Sequence, residues 1–190
     1  MNKRLFLIII IILIIIGILF FNHNNYLTDK QSTKIKLNEL VDNTNLNNMK
    51  ISSPAFENNN PIPKRYTCDG ENINPPLLFE DVPLQTQSLI LIIDDPDAPI
   101  GTFLHWLVFN IPPKTRLIEE NSVPSGAIVG KNDFNQNKYS GPCPPSGEHR
   151  YFFHLYALDT LLDLKENANL TEIKANIRDH LLAEAELIGL

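Results

Sequence analysis

The stretch LIIDDPDAPIGTFLHWLVFNIP, Leu91–Pro112, decides the fold. It finishes an apolar run, SLILIID from Ser88 to Asp94, with the length and Ile content of a buried strand. Pro96 ends that run, because it has no N–H for a sheet ladder and it restricts the residue before it. Pro99 repeats the interruption, and FLHWLVFNI, Phe103–Ile111, reads as a second strand. Strands joined by so short a loop are expected to be neighbours. Polar groups therefore collect at the mouth of a sheet edge. Taken alone, DDPDAP is read most simply as an Asx-type turn whose carboxylates cap backbone amides. By strand alternation His105 shares a face with Phe103, Leu107 and Phe109, while Leu104, Trp106 and Val108 take the other. A histidine on an apolar face is ordinarily a core residue. A carboxylate beside this one would fix its tautomer and raise its pKa.

Further along, YFFHLYAL, Tyr151–Leu158, is a third strand, dense in aromatics. It is fed by YSGPCPPSGEHR, a loop of glycine, proline and serine that delivers His149 and Arg150 to the strand's start. Such a loop exposes backbone amides in a fixed shape and suits a small oxyanion. His154 lies on the opposite face from Tyr151 and Phe153 and is assigned to packing. Only the end of the chain looks helical, with Thr171 as N-cap and Ile173, Ile177, Leu181 and Ile188 near one stripe. Strands first and a helix last predict a mainly β domain with peripheral helices, including a C-terminal one. Without long strand–helix alternation, a doubly wound parallel sheet is not expected.

At 190 residues the chain has room for one well-buried domain. Its net charge of -6 argues against a nucleic-acid partner, which requires a basic face. Lys3 and Arg4 precede 17 residues, Leu5–Phe21, that are apolar apart from Gly17. As a helix that segment is about 25 Å long, near the lower limit for crossing a bilayer. No small-residue cleavage site follows, so residues 1–21 are expected to be an uncleaved transmembrane signal-anchor. The basic residues then place the N-terminus in the cytoplasm and the domain on the periplasmic or extracellular side. Residues 22–49, eight of whose 28 positions are Asn, read as a flexible tether. The domain proper is expected over 50–190. Cys68 and Cys143 lie 75 residues apart, and the residues by themselves leave them bonded or independent.

No Gly-x-Ser-x-Gly elbow, His-Glu-x-x-His pair, Cys-x-x-Cys pair, phosphate-loop lysine or dinucleotide glycine pattern is present. Asp95, His105 and His149 have the composition of a two-His-one-carboxylate site, but their spacing carries no metal signature. Neither a metal nor a cofactor is expected.

DDPDAP followed by HWLVFNIP, then GPCPPSGEHRYFFHLYALD, resembles the two signature regions of the phosphatidylethanolamine-binding protein (Raf kinase inhibitor-like) family, most nearly its bacterial and archaeal branch. YTCDGENINPPLLFEDVP, GKNDFNQNKYSGPCPP and the closing AEAELIGL resemble the same branch, so the similarity spans residues 50–190. The resemblance implies a β-sandwich, with a large antiparallel sheet packed on a smaller one, and a small pocket for phosphate-like anions and phospholipid head groups. Carried over by motif, Asp95, Asp97, His105, His149 and Tyr151 line that pocket, and Pro142 and Pro144 shape its rim. Cys68 and Cys143 both flank the motifs on the pocket side, which makes them a candidate disulfide. The function so implied is binding of a small phosphorylated ligand or phospholipid head group, without catalysis, by a membrane-tethered domain. The alternative is inhibition of a kinase or hydrolase partner through the Pro142–Glu148 loop. A phosphoester hydrolase using His105 or His149 is a third reading.

Overall fold

The computed structural model describes residues 48–190, together with the isolated positions Gly17, His23, Tyr26, Lys30 and Gln31. The expected anchor, apart from Gly17, and most of the expected tether lie outside the described residues. Among the described residues no helix is long and apolar enough to cross a membrane. That finding overturns the single-pass membrane location inferred from residues 1–21.

Two antiparallel sheets form the domain. The smaller contains β1 (Lys50–Ser52), β2 (Leu77–Glu80) and β5 (Leu117–Ile118), in the order β1-β2-β5. The larger runs β6-β4-β3-β7-β8, from β3 (Ser88–Asp95), β4 (Phe103–Ile111), β6 (Ile128–Val129), β7 (Tyr151–Leu158) and β8 (Leu181–Gly189). One α-helix, α1 (Leu170–His180), precedes β8. The sandwich expected from the sequence is the fold observed.

β3 is apolar from Leu89 to Ile93 because both of its faces are buried. Leu89, Leu91 and Ile93 join Ile51, Leu77, Phe79 and Phe153 in the core between the sheets. Ile90 and Ile92 point the other way, into a second core that Leu162, Ile173 and Ile177 cover. The helix therefore shields one end of the outer face. Burying one such side chain fully stabilises by roughly 1.5–3 kcal/mol, so losing either layer would unfold the sheet.

Two expectations about local structure are corrected. Ile93 opposes Trp106 but Asp94 opposes Leu104, so His105 is the extra residue of a β-bulge. Two adjacent residues then lean toward one face. Leu104 packs with Leu107 and Phe109, while Trp106 belongs to the inter-sheet core, contrary to strict alternation. The second correction concerns the C-terminus. The N-cap is Asn169, not Thr171: its side chain accepts from Glu172 N–H, and the Glu172 carboxylate accepts from Asn169 N–H. The helix ends at His180, and Leu181 and Ile188 belong to β8, paired with β7 along its whole length. AEAEL repeats with period two, which turns Ala183 and Leu187 inward and Glu184 and Glu186 outward.

Candidate functional site

The site is built where β3 ends. Asp94 and Asp95 are adjacent in a strand, so they face opposite sides of the sheet. Asp95 faces inward and is 4% exposed. One carboxylate oxygen accepts from Asp97 N–H at 2.9 Å, which is the Asx turn read from DDPDAP. The other accepts from His149 Nδ1–H at 2.7 Å. A single carboxylate thus both shapes the turn and orients an imidazole. Gly101, at φ 105, completes the turn in backbone space that a side chain would disfavour.

His105 is delivered by the bulge and is 4% exposed. Its Nδ1–H donates to the Ser140 carbonyl at 2.7 Å, leaving Nε2 as the free ring nitrogen. Burial pushes its pKa down; the Ser140 hydrogen bond and the Asp95 charge only partly offset this. The expected carboxylate partner, with a raised pKa, is therefore not found. Asp95 bonds His149 instead, and a carbonyl fixes the His105 tautomer. The ring stands edge-on to Phe103 and to Tyr151, each at 5.3 Å between centroids.

Ser140 is held in turn by the loop after β6. Asn132, 4% exposed, donates to the carbonyls of His105 and Lys138 and to Ser140 Oγ. The Asp133 carboxylate accepts from Leu104 N–H at 2.7 Å, pinning the same loop to β4. The loop carries Phe134 to a position 4.9 Å from Phe103.

Asp95, His105 and His149 line one cavity of 300 Å³, with Ala98, Pro99, Ile100, Phe103, Phe134, Cys143 and Pro145. No lysine or arginine is in its wall. Concavities of 740 and 460 Å³ exist elsewhere, but neither has a histidine or a buried carboxylate in its wall. The chemistry therefore selects the smaller space.

The remaining candidates lie around the cavity without lining it. Asp97 faces outward, where its carboxylate accepts from the backbone N–H, Nε and Nη2 of Arg150 at 3.0, 2.8 and 2.7 Å. These hydrogen bonds, side-chain ones first, hold its carboxyl well below the usual range. Tyr151 is 2% exposed, with a hydroxyl that makes no hydrogen bond. Burial, then the Asp95 charge, pushes its pKa up to about 12. Pro142 is buried and its carbonyl accepts from Cys68 N–H at 3.0 Å, whereas Pro144 is exposed and Pro145 reaches the cavity. Cys68 and Cys143 are disulfide-bonded, with Cα atoms 5.4 Å apart. Among the described residues no group of three or more His, Cys, Asp or Glu is arranged to hold a metal ion. The apolar wall and the supporting Asn132 were not singled out from the sequence, and Cys143 was read as a disulfide partner only, whereas it also lines the cavity. GKNDFNQNKYSGP carries Asn132 and Phe134, but neither residue type announces a pocket.

Residues 52–190 match the family described as "Phosphatidylethanolamine-binding protein". The chain belongs to that family. A UPF0098 protein of Methanothermobacter thermautotrophicus is 51% identical over 147 residues, covering 75% of this chain and 97% of the relative. The crystal structure of a putative phosphatidylethanolamine-binding protein homologue, CT736 of Chlamydia trachomatis, is 40% identical, with a TM-score of 0.72. It covers 74% of this chain and 95% of that one. YbcL of E. coli, described as a new member of the mammalian family, is 27% identical with a TM-score of 0.70, covering 74% and 96%. The chain is thus a family protein of the bacterial and archaeal type, and a binding protein of the phosphatidylethanolamine-binding kind.

Proposed function

We propose that the 300 Å³ cavity binds a small phosphorylated molecule or a phospholipid head group, with Asp95, His105 and His149 as its polar floor. The observation that carries this reading is the pair of buried imidazoles sharing one cavity, each with Nδ1 already engaged. Each keeps Nε2 for a ligand. His149, backed by the Asp95 carboxylate, donates from Nε2 to a phosphate oxygen when protonated. His105, kept neutral by burial, accepts from a phosphate hydroxyl. The floor thus suits the singly protonated form of a phosphate ester. With no lysine or arginine in the wall, affinity comes from these hydrogen bonds and from exclusion of water.

Phe103, Phe134 and Ile100 offer an apolar wall to the carbon part of the ester. Asp97 supports the site from outside, through its clamp on Arg150 next to His149. Tyr151 supports the His105 ring edge, and Pro142 and Pro144 frame the loop that brings in Pro145.

The reading is binding without turnover. Phosphoethanolamine and inorganic phosphate, titrated into the full chain, should move the ring resonances of His105 and His149 saturably. Those of His154 and His180 should stay in place, and phosphoethanolamine should remain intact. Cavity histidines that do not move at millimolar ligand would sink the assignment; steady phosphate release would replace it with a hydrolase.

A second reading, contact with a protein partner, is favoured by the exposed run Pro144–Glu148, for which no hydrogen bond is seen among the described residues. A partner captured by the full chain, lost on replacing that run but kept by His105→Ala, would select it.

A further inference from the structure

The bond between Cys68 and Cys143 joins two segments that enter the site from distant parts of the chain. Cys68 follows the single helical turn at Lys64–Tyr66, and Cys143 belongs to the Pro-rich loop. Both half-cystines are solvent-exposed, and Cys143 is also part of the cavity wall. The two segments fit closely: Gly141 N–H donates to Asn72 Oδ1 at 2.7 Å, and a Cβ on Gly141 would strike the Tyr66 carbonyl. Beyond Cys143 this support ends. Pro144–Glu148 is exposed, no hydrogen bond is seen along it, and its two prolines have no N–H to offer. The loop is therefore held at one end by the disulfide, with Pro142 O accepting from Cys68 N–H beside it, and at the other by the bonds of His149 to Asp95 and of Arg150 N–H to Asp97. A covalent bond that fixes a pocket wall while remaining open to solvent is placed for chemical control.

From this we propose that Cys68–Cys143 is a redox modification site, at which exchange with a dithiol partner loosens the pocket wall and lowers ligand affinity. The affinity effect rests on the phosphate-binding reading; the reducibility of the bond does not. One partner thiolate attacks Cys68 Sγ, the S–S bond breaks, and Cys143 leaves as a thiolate that takes up a proton. The second partner thiolate then attacks the mixed disulfide and releases Cys68, which also takes up a proton. The chain gains two electrons and two protons, and the dithiol becomes a disulfide. The Cys143 thiol is left in a cavity with His105 and His149, and Pro144–Glu148 loses its covalent hold, with only the hydrogen bonds at Gly141 and Pro142 remaining before it. Ligand must then select the fraction of molecules whose wall is still formed, which reduces apparent affinity by that fraction.

The test uses the full chain with dithiothreitol as the dithiol and inorganic phosphate as the ligand. Under native conditions, reduction should add two iodoacetamide-reactive thiols. It should shift the His149 ring resonance, leave those of His154 and His180 in place, and weaken phosphate binding about tenfold. Cys68→Ser should show the weakened binding from the start and no longer respond to dithiothreitol. The proposal is overturned if no thiols appear without denaturant. It is equally overturned if thiols appear while His149 does not move, or if Trp106 fluorescence shows that reduction unfolds the whole domain. If the oxidised chain binds no phosphate yet reduction still moves His149 alone, the phosphate reading fails and control of the cavity by the disulfide stands.

Discussion

Two consecutive aspartates meet two histidines on opposite faces of the same sheet, with very different results. Asp95, facing inward, accepts from His149 at 2.7 Å, with side chains 5% and 10% exposed. Asp94, facing outward, lies 3.5 Å from His154 Nε2, and Glu186 is 3.4 Å from the other ring nitrogen. His154 is 24% exposed and is stacked between Phe152 and Tyr156 at 5.7 and 6.1 Å. The residue types are the same, so type does not make the site. The inner pair has one short, directed hydrogen bond and opens onto the cavity. The outer pair has two loose contacts and a stack of rings. Both carboxylates are buried, so the difference lies in the imidazole, nearly buried at the cavity on the inner face and partly open on the outer one, since the same charges act more strongly where water is scarce.

The comparison can be broken most forcefully through the disulfide. Replacing Cys68 and Cys143 together by Ser removes a cross-link spanning 75 residues, which on a chain-entropy argument costs about 4 kcal/mol. Denaturant unfolding should show that loss. The ring resonance of His149 should shift in the variant and that of His154 should not; equal shifts would mean that both faces depend on the staple. Next in size is the pair Asp95→Ala and Asp94→Ala. The first leaves His149 buried without its acceptor and undoes the Asx turn, costing about 3 kcal/mol and most of the phosphate affinity. The second removes a 3.5 Å contact from a ring that keeps Glu186 at its other nitrogen, so it should cost clearly less than the first, with affinity retained. Comparable losses from the two would erase the distinction between the faces.

Much of the inner site was legible because prolines and turn residues mark where strands stop. DDPDAP and GPCPPSGEHRY announced two strand ends bearing Asp95 and His149, and the family resemblance brought those ends together. The bulge at His105 was not legible. FLHWLVFNI is an almost continuous apolar run that marks no break, and only pairing with β3 shows that one residue is extra. The Leu181–Gly189 strand was hidden differently. Ile188 falls near a helical stripe begun at Ile173, and tertiary pairing with β7, not local propensity, settles the matter. Asp97 was drawn into the pocket by its motif, yet Arg150 offers three donors on the outside and holds it there. Asn132 could not have been found from residue type alone, since its role lies in carbonyls distant in sequence.

Acid should also act on the inner face, through His105. His105 has a folded-state pKa below its ordinary 6.5, because burial disfavours the imidazolium. Below pH 6.5 the unfolded chain therefore takes up a proton that the folded chain refuses. Stability contributed by neutral His105 is fully present above that pH. It falls as the pH drops from 6.5 toward the lowered folded value, below which the loss is complete. His105→Asn, with no titrating ring, should flatten that part of the stability curve. Urea midpoints measured between pH 7 and 5 would decide, and an unchanged slope in His105→Asn would show that the burial of this ring does not govern the acid response.

The smallest effect belongs to the clamp outside the pocket. Arg150→Ala removes the guanidinium from Asp97, but the Arg150 backbone N–H still donates to the same carboxylate, and both side chains are open to solvent. Exposed pairs of this kind contribute little to stability, and added salt weakens them further. The unfolding midpoint should barely move. If Asp97 instead contacts the ligand directly, freeing its carboxylate would change phosphate affinity strongly at low salt. A titration of Arg150→Ala in which affinity stays near that of the unaltered chain would keep Asp97 on the outer side, supporting His149 without touching what it holds.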